Sequence, residues 1–160
     1  MLHVEPGMPF RGGTSEPAMS ATLEALLQDV LAAWNAHDAD LLAGFYAPEY
    51  EGVDVADAAL QAGRTGIRQA ALRYFTAFPD LSVRADEMVV EGTCVAVVWT
   101  ARGTHRGVLM NIPASGRIVE VRGVSVLAVR NQQIVRAFTM WDVAGFLRAL
   151  GLLPELAAAG

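Results

Sequence analysis

The chain of 160 residues contains no lysine; all twelve of its basic residues are Arg. That excludes a Schiff base, a lysine nucleophile and a phosphate-loop lysine. Cys94 is the one cysteine, so no internal disulfide forms and a reducing, cytoplasmic setting is expected. With only His3, His37 and His105 beside it, the zinc-ligand spacings are unfilled. Counting leaves an all-carboxylate metal site open, but no loop carries the Asp and Gly pattern such a site needs. Positive charge is also scarce. Twelve basic against seventeen acidic residues give a net −5, a surface that repels a phosphate backbone, so no nucleic-acid partner is expected. No run nears the roughly eighteen apolar residues of a membrane span, and no membrane partner is expected. No positive segment followed by an apolar stretch opens the chain, which argues against secretion.

What is present is apolar. Hydrophobic residues make up 53% and charged residues 18%, which excludes disorder over most of the chain. The length suits one domain. Residues 1–18 are rich in Gly, Pro and Ser without a period and read as a poorly ordered leader. A single domain is expected over 19–160, with Met19 as an alternative start.

From Ser20 the period is helical: Leu23, Leu26, Leu27, Val30, Leu31 and Trp34 make one apolar stripe. Ser20 is the expected N-cap, with Glu24 in the first turn. Asn35-Ala36-His37-Asp38 breaks the stripe, and Asp38 can cap a second short helix carrying Leu41, Leu42, Phe45 and Tyr46. A polar stretch follows near 47–65. A third helix then carries Ile67, Ala71, Tyr74, Phe75 and Phe78 and ends at Pro79-Asp80. Beyond it the period falls to two. Leu81, Val83 and Ala85 alternate with polar residues, and Glu91-Gly92 reads as a turn. Strands are expected over Cys94–Thr104, Arg117–Val129 and Ile134–Trp141, with Asn131-Gln132 turning between the last two. A final helix, Val143–Leu150, ends at Gly151 and Pro154. The fold class is α+β: a strongly curved antiparallel sheet with three N-terminal helices and a short C-terminal one.

Several stretches are more specific: Trp34-Asn35-Ala36-His37-Asp38, Phe78-Pro79-Asp80-Leu81, Trp99 through Gly107, Ile112 through Arg117, Trp141-Asp142 and Leu147 through Pro154. In order and spacing they resemble the SnoaL-like polyketide cyclase family of the nuclear-transport-factor-2-like superfamily, over about residues 20–154. The resemblance implies an α+β cone around an apolar cavity, no cofactor, and a homo-oligomer, here a homodimer, made through the outer sheet face. It also implies ring closure by intramolecular aldol condensation, with an Asp on the last long strand as acid/base and a His on the preceding strand. Those two positions fall on Thr139 and Ser125. A Thr hydroxyl cannot take a proton from carbon as a carboxylate can, so the fold transfers and the usual chemistry does not.

If Ser125 and Thr139 face inward, alternation turns Val121, Gly123, Leu127, Ala137 and Trp141 inward with them. Val124, Val126 and Ala128 then face out as an apolar patch that a second subunit would cover. Three catalytic candidates follow: Asp142, His105 and Thr139. Asp142 doubles as the natural N-cap of the last helix; if an acid is needed it ranks first, with Asp54 or Asp57 next. His105 has the right ordinary pKa for a base, and also reads as a turn residue ordering the loop from Arg106 to Gly116. Substrate-binding candidates are Ser125, Trp34, Tyr46, Tyr74, Phe78, Trp99, Met110 (as a lid) and Trp141. Phe75 and Phe138 complete the aromatic set, for which plain core packing is the simpler account. Arg102 and Arg122 read as surface residues and Cys94 as a small buried filler.

Two functional readings remain open. One is a cofactor-independent cyclase or isomerase acting on a small apolar carbonyl compound, with a variant in which Asp142 serves a hydrolase or dehydratase. The other is a non-catalytic binder of a hydrophobic molecule, favoured if Asp142 and His105 both point away from the cavity.

Overall fold

The computed structural model describes residues 17–157. Helix α1 spans Pro17–Asn35, starting earlier than the Ser20 cap predicts. Proline fits a first helical turn because its missing N–H has no partner there anyway, and Ser20 Oγ instead donates to Glu24 Oε1, 3.1 Å away. Pro17 and Ala18 thus leave the expected leader; the rest of it lies outside the described residues. No described helix is long and apolar enough to cross a membrane.

The break after Trp34 has a local cause. Asn35 bonds both ways to the backbone of Val83, each at 2.8 Å. His37, at φ 54°, bonds through Nε2 to the carbonyl of Leu81 at 2.8 Å and stacks on Phe75. Asp38 caps α2 (Ala39–Gly44) by accepting from Leu41 N–H. This short segment pins the first helix to the strand that follows the third.

Tyr46 is not helical. It opens β1 (Tyr46–Asp54), followed by β2 (Gln61–Ala62) and α3 (Gly63–Ala77). The polar stretch near 47–65 therefore holds two strands and the start of α3, and Pro48 sits where the register of β1 shifts, a position that needs no ladder N–H. β3 (Ser82–Glu91), β4 (Cys94–Thr104), β5 (Ile118–Arg130) and β6 (Gln133–Trp141) form the expected antiparallel meander. Helix α4 (Val143–Ala149) closes the order, and Gly151 leaves it at φ 76°, the left-handed exit a glycine provides.

The sheet is curved and unclosed, in the order β2-β1-β6-β5-β4-β3. It departs from a purely antiparallel sheet in one place: β1 runs parallel to β6. Its concave face packs under α1 and α3, around a core that includes Leu27, Leu42, Ala71 and Ile134. A second cluster, around Phe78, Phe146 and Leu150, closes the other end. Cys94 is exposed, not buried. Val95 takes the inward phase of β4, and strand alternation leaves its neighbour outside.

Candidate active site

Between sheet and helices lies a hollow of about 180 Å3, far larger than the 10–15 Å3 that one water needs. Its walls are mostly apolar, contributed by α1, α3, the sheet and Phe146 of α4. Trp34, Tyr46, Tyr74, Phe78, Trp99, Ser125, Thr139 and Trp141 all line it. So do Val121, Leu127 and Ala137, whereas Val124, Val126 and Phe138 are exposed on the convex face. Phe138 therefore has no place in the pocket, and Phe75 is buried core.

Met110 does not line the hollow. It and Asn111 hold positive φ at the tip of the turn bridging Leu109 and Ile112, so Met110 projects to solvent and the buried Leu109 faces in.

Asp142 is also outside the lining. Its Oδ1 accepts from Gly145 N–H at 2.7 Å as the N-cap of α4, and that use of the carboxylate commits it to the helix end.

His105 is fully buried between the rings of Phe78 and Phe146, at 5.5 and 5.6 Å. Its Nδ1 lies 3.0 Å from Ser115 Oγ and 3.3 Å from Ser115 N. An N–H can only donate, so the network assigns Nδ1 as acceptor and the ring proton to Nε2. Its backbone pairs with Arg117 and Gly116. The imidazole thus pins the loop from Arg106 to Arg117 and stands behind the pocket wall. Burial pushes its pKa below the ordinary 6.5. A depressed histidine contributes stability above its unfolded pKa and loses it as the pH falls through its folded one. The melting temperature is therefore expected to decline below pH 6.5, above the range where carboxylates titrate. His105→Gln should start less stable but lack that decline. Parallel melting curves for the two chains would refute this account.

The carboxylate inside the hollow is Asp54, at the end of β1 and only 4% exposed. Tyr74 Oη donates to its Oδ2 at 2.6 Å; Trp141 Nε1 donates to Oδ1 at 3.1 Å, and Ala56 N–H to the same oxygen at 2.9 Å. A carboxylate offers about four acceptor positions, so one stays free for a ligand. Burial, and then the Asp54 charge, push the Tyr74 pKa upward, so the phenol keeps its proton and remains a donor. Asp57, the other reserve candidate, is paired with Arg73. Beside Asp54, Tyr50 Oη donates to Gln61 Oε1 at 3.2 Å, both buried on the wall. Neither was singled out from the sequence, because their segment showed only as a polar stretch without a period.

On the adjoining strands, Trp99 Nε1 donates to Ser125 Oγ at 3.1 Å, and Ser125 Oγ lies 2.9 Å from Thr139 Oγ1. The indole lies over Gly123; a Cβ there would sit 2.3 Å from the ring. Thr139 is the register partner of Asp54 across the β1–β6 ladder. An acid does stand beside position 139, one strand over. Among the described residues no three His, Cys, Asp or Glu side chains converge as a metal site.

Comparison with known proteins gives the family and the fold. A family model described as SnoaL-like polyketide cyclase matches residues 24–150. The chain is similar to TsrD from Streptomyces laurentii at 31% identity and a TM-score of 0.76, covering 83% of this chain and 97% of that one. A SnoaL-like polyketide cyclase from Agrobacterium tumefaciens shares 23% identity with a TM-score of 0.68, over 81% and 98% of the two chains. A protein of ketosteroid isomerase-like fold from Catenulispora acidiphila, solved with trimethylamine, shares 19% with a TM-score of 0.70, over 83% and 97%. No curated protein matches the chain.

Proposed function

Because the chain belongs to the SnoaL-like polyketide cyclase family, we propose that it is a cofactor-independent cyclase or isomerase in which Asp54 moves the proton. The substrate is a flat, apolar carbonyl compound held in the hollow. One observation carries this reading: among the described residues, Asp54 is the only carboxylate on a mostly apolar wall, and it is held with one acceptor position unused.

The chemistry follows from that arrangement. The Asp54 carboxylate takes a proton from the carbon next to the carbonyl, and charge develops on the carbonyl oxygen. In an isomerase the carboxylic acid then returns its proton to another carbon. In a cyclase the enolate carbon attacks a second carbonyl of the same molecule, and Asp54 gives its proton to the new alkoxide. Tyr74 and Trp141 hold the carboxylate in place. The apolar walls restrict the substrate to few conformers, which lowers the barrier to ring closure. His105 and Asp142 lie off the lining, so on those two positions alone the hollow would suit a passive binder; Asp54 is what favours an enzyme.

The test is exchange of the α-hydrogens of methyl naphthyl ketone in heavy water, followed by NMR. Exchange that saturates with ketone and falls sharply in Asp54→Asn supports the enzyme. Saturable ketone binding without exchange would leave only the binder.

A homodimer is part of the proposal. Val124, Val126, Phe138 and Met140 are exposed side by side on the convex face of β5 and β6, an apolar surface that suits an isologous contact. Phe138→Asp is expected to halve the mass measured by light scattering. An unchanged mass would reject this face as the contact.

A further inference from the structure

We propose that Trp99, Ser125 and Thr139 form a hydrogen-bond donor relay ending in the hollow beside Asp54, and that it takes the carbonyl oxygen of a ketone or ester bearing an α-hydrogen. This deepens the preceding reading and rests on it for the identity of the base.

The argument is a count of protons. Two hydroxyls carry two, and one is used in the Ser125–Thr139 bond whichever oxygen donates it. The Trp99 N–H can only donate, so it occupies a lone pair of Ser125 and uses neither hydroxyl proton. Among the described residues, no further acceptor bonds to either oxygen. One O–H is therefore unspent, on a residue that lines the hollow.

The indole also sets the direction. A hydroxyl that accepts a bond donates more strongly, so Ser125 gives its proton to Thr139 and the spare one ends on Thr139. The bare backbone of Gly123 makes this possible, since a side chain there would displace the indole.

Position then selects the ligand. Thr139 and Asp54 are register partners on adjacent strands, which lie about 4.8 Å apart, and both face the hollow. An oxygen that accepts from Thr139 has its neighbouring carbon next to the carboxylate. A ketone or ester with an α-hydrogen matches this donor and base.

The probe is isotope-labelled methyl naphthyl ketone, with ethylnaphthalene as its counterpart lacking the oxygen. Calorimetry gives both affinities, and infrared difference spectroscopy gives the carbonyl stretch of the bound ketone. In the wild type the bound stretch should fall below its value in hydrocarbon solvent. Thr139→Val keeps the branched shape and should restore that value. It should also reduce the ketone-to-hydrocarbon affinity ratio about three- to tenfold, the worth of one neutral hydrogen bond. Thr139→Ser should behave as wild type, and Trp99→Phe should move the band part of the way back. An unchanged stretch and ratio in Thr139→Val would overturn the proposal, as would a wild type that binds the hydrocarbon as tightly as the ketone. A band that shifts as expected in a protein without α-exchange would support the relay and reject only the role of Asp54.

Discussion

Asp54→Asn is expected to slow α-hydrogen exchange about 10²- to 10⁴-fold, the usual contribution of a positioned general base, with little change in stability. The amide oxygen can still accept from Trp141 and Ala56, and the Tyr74 hydroxyl can turn to accept from the new N–H. Asp54→Ala would take the acceptor from all three donors, Tyr74 Oη, Trp141 Nε1 and Ala56 N–H, at about 1–3 kcal/mol for each one left buried and unpaired, so the Asn variant is the cleaner test of chemistry. A variant that keeps its rate would remove Asp54 from the mechanism.

The second large effect is on stability. Phe146→Ala is expected to cost about 3–5 kcal/mol, the range for removing a buried aromatic ring. The ring meets Phe78, His105 and Trp141 at 5.6 to 6.2 Å and seals one end of the hollow. For a domain this size each kcal/mol moves the melting temperature by roughly 2–4 °C, so a drop of about ten degrees is expected. Leu72→Ala, on an exposed position of α3, should change stability by less than about 0.5 kcal/mol. Urea unfolding of the two variants decides the matter. Equal losses would mean that the second cluster is not the cooperative core described.

The legible parts of this molecule were those with a local period. The stripe from Leu23 to Trp34 specifies α1, and alternation over 81–141 specifies four strands and their turns. The same alternation, started at Ser125 and Thr139, sorts the inner from the outer face. β1 escaped because the pattern at its C-terminal end is inverted. Asp54 faces in at 4% exposed, while Val53 and Val55 face out at 43% and 45%. A strand with its polar residue inside and its valines outside reads as loop. The place of Asp142 was hidden for a related reason. Asp142 follows Trp141 directly and looks poised at the cavity, but it bonds to the helix three residues on, an outcome that depends on where α4 starts.

The order of residues thus determined the α+β class, the helix stripe, the meander and the absence of an acid at position 139, because each follows from neighbours along the chain. Tertiary structure alone decided which carboxylate enters the hollow. Asp54 reaches Trp141 across 87 positions of sequence, through a parallel pairing of β1 with β6. A contact of that span is set by strand pairing across the sheet and the packing of α3, which no local pattern encodes.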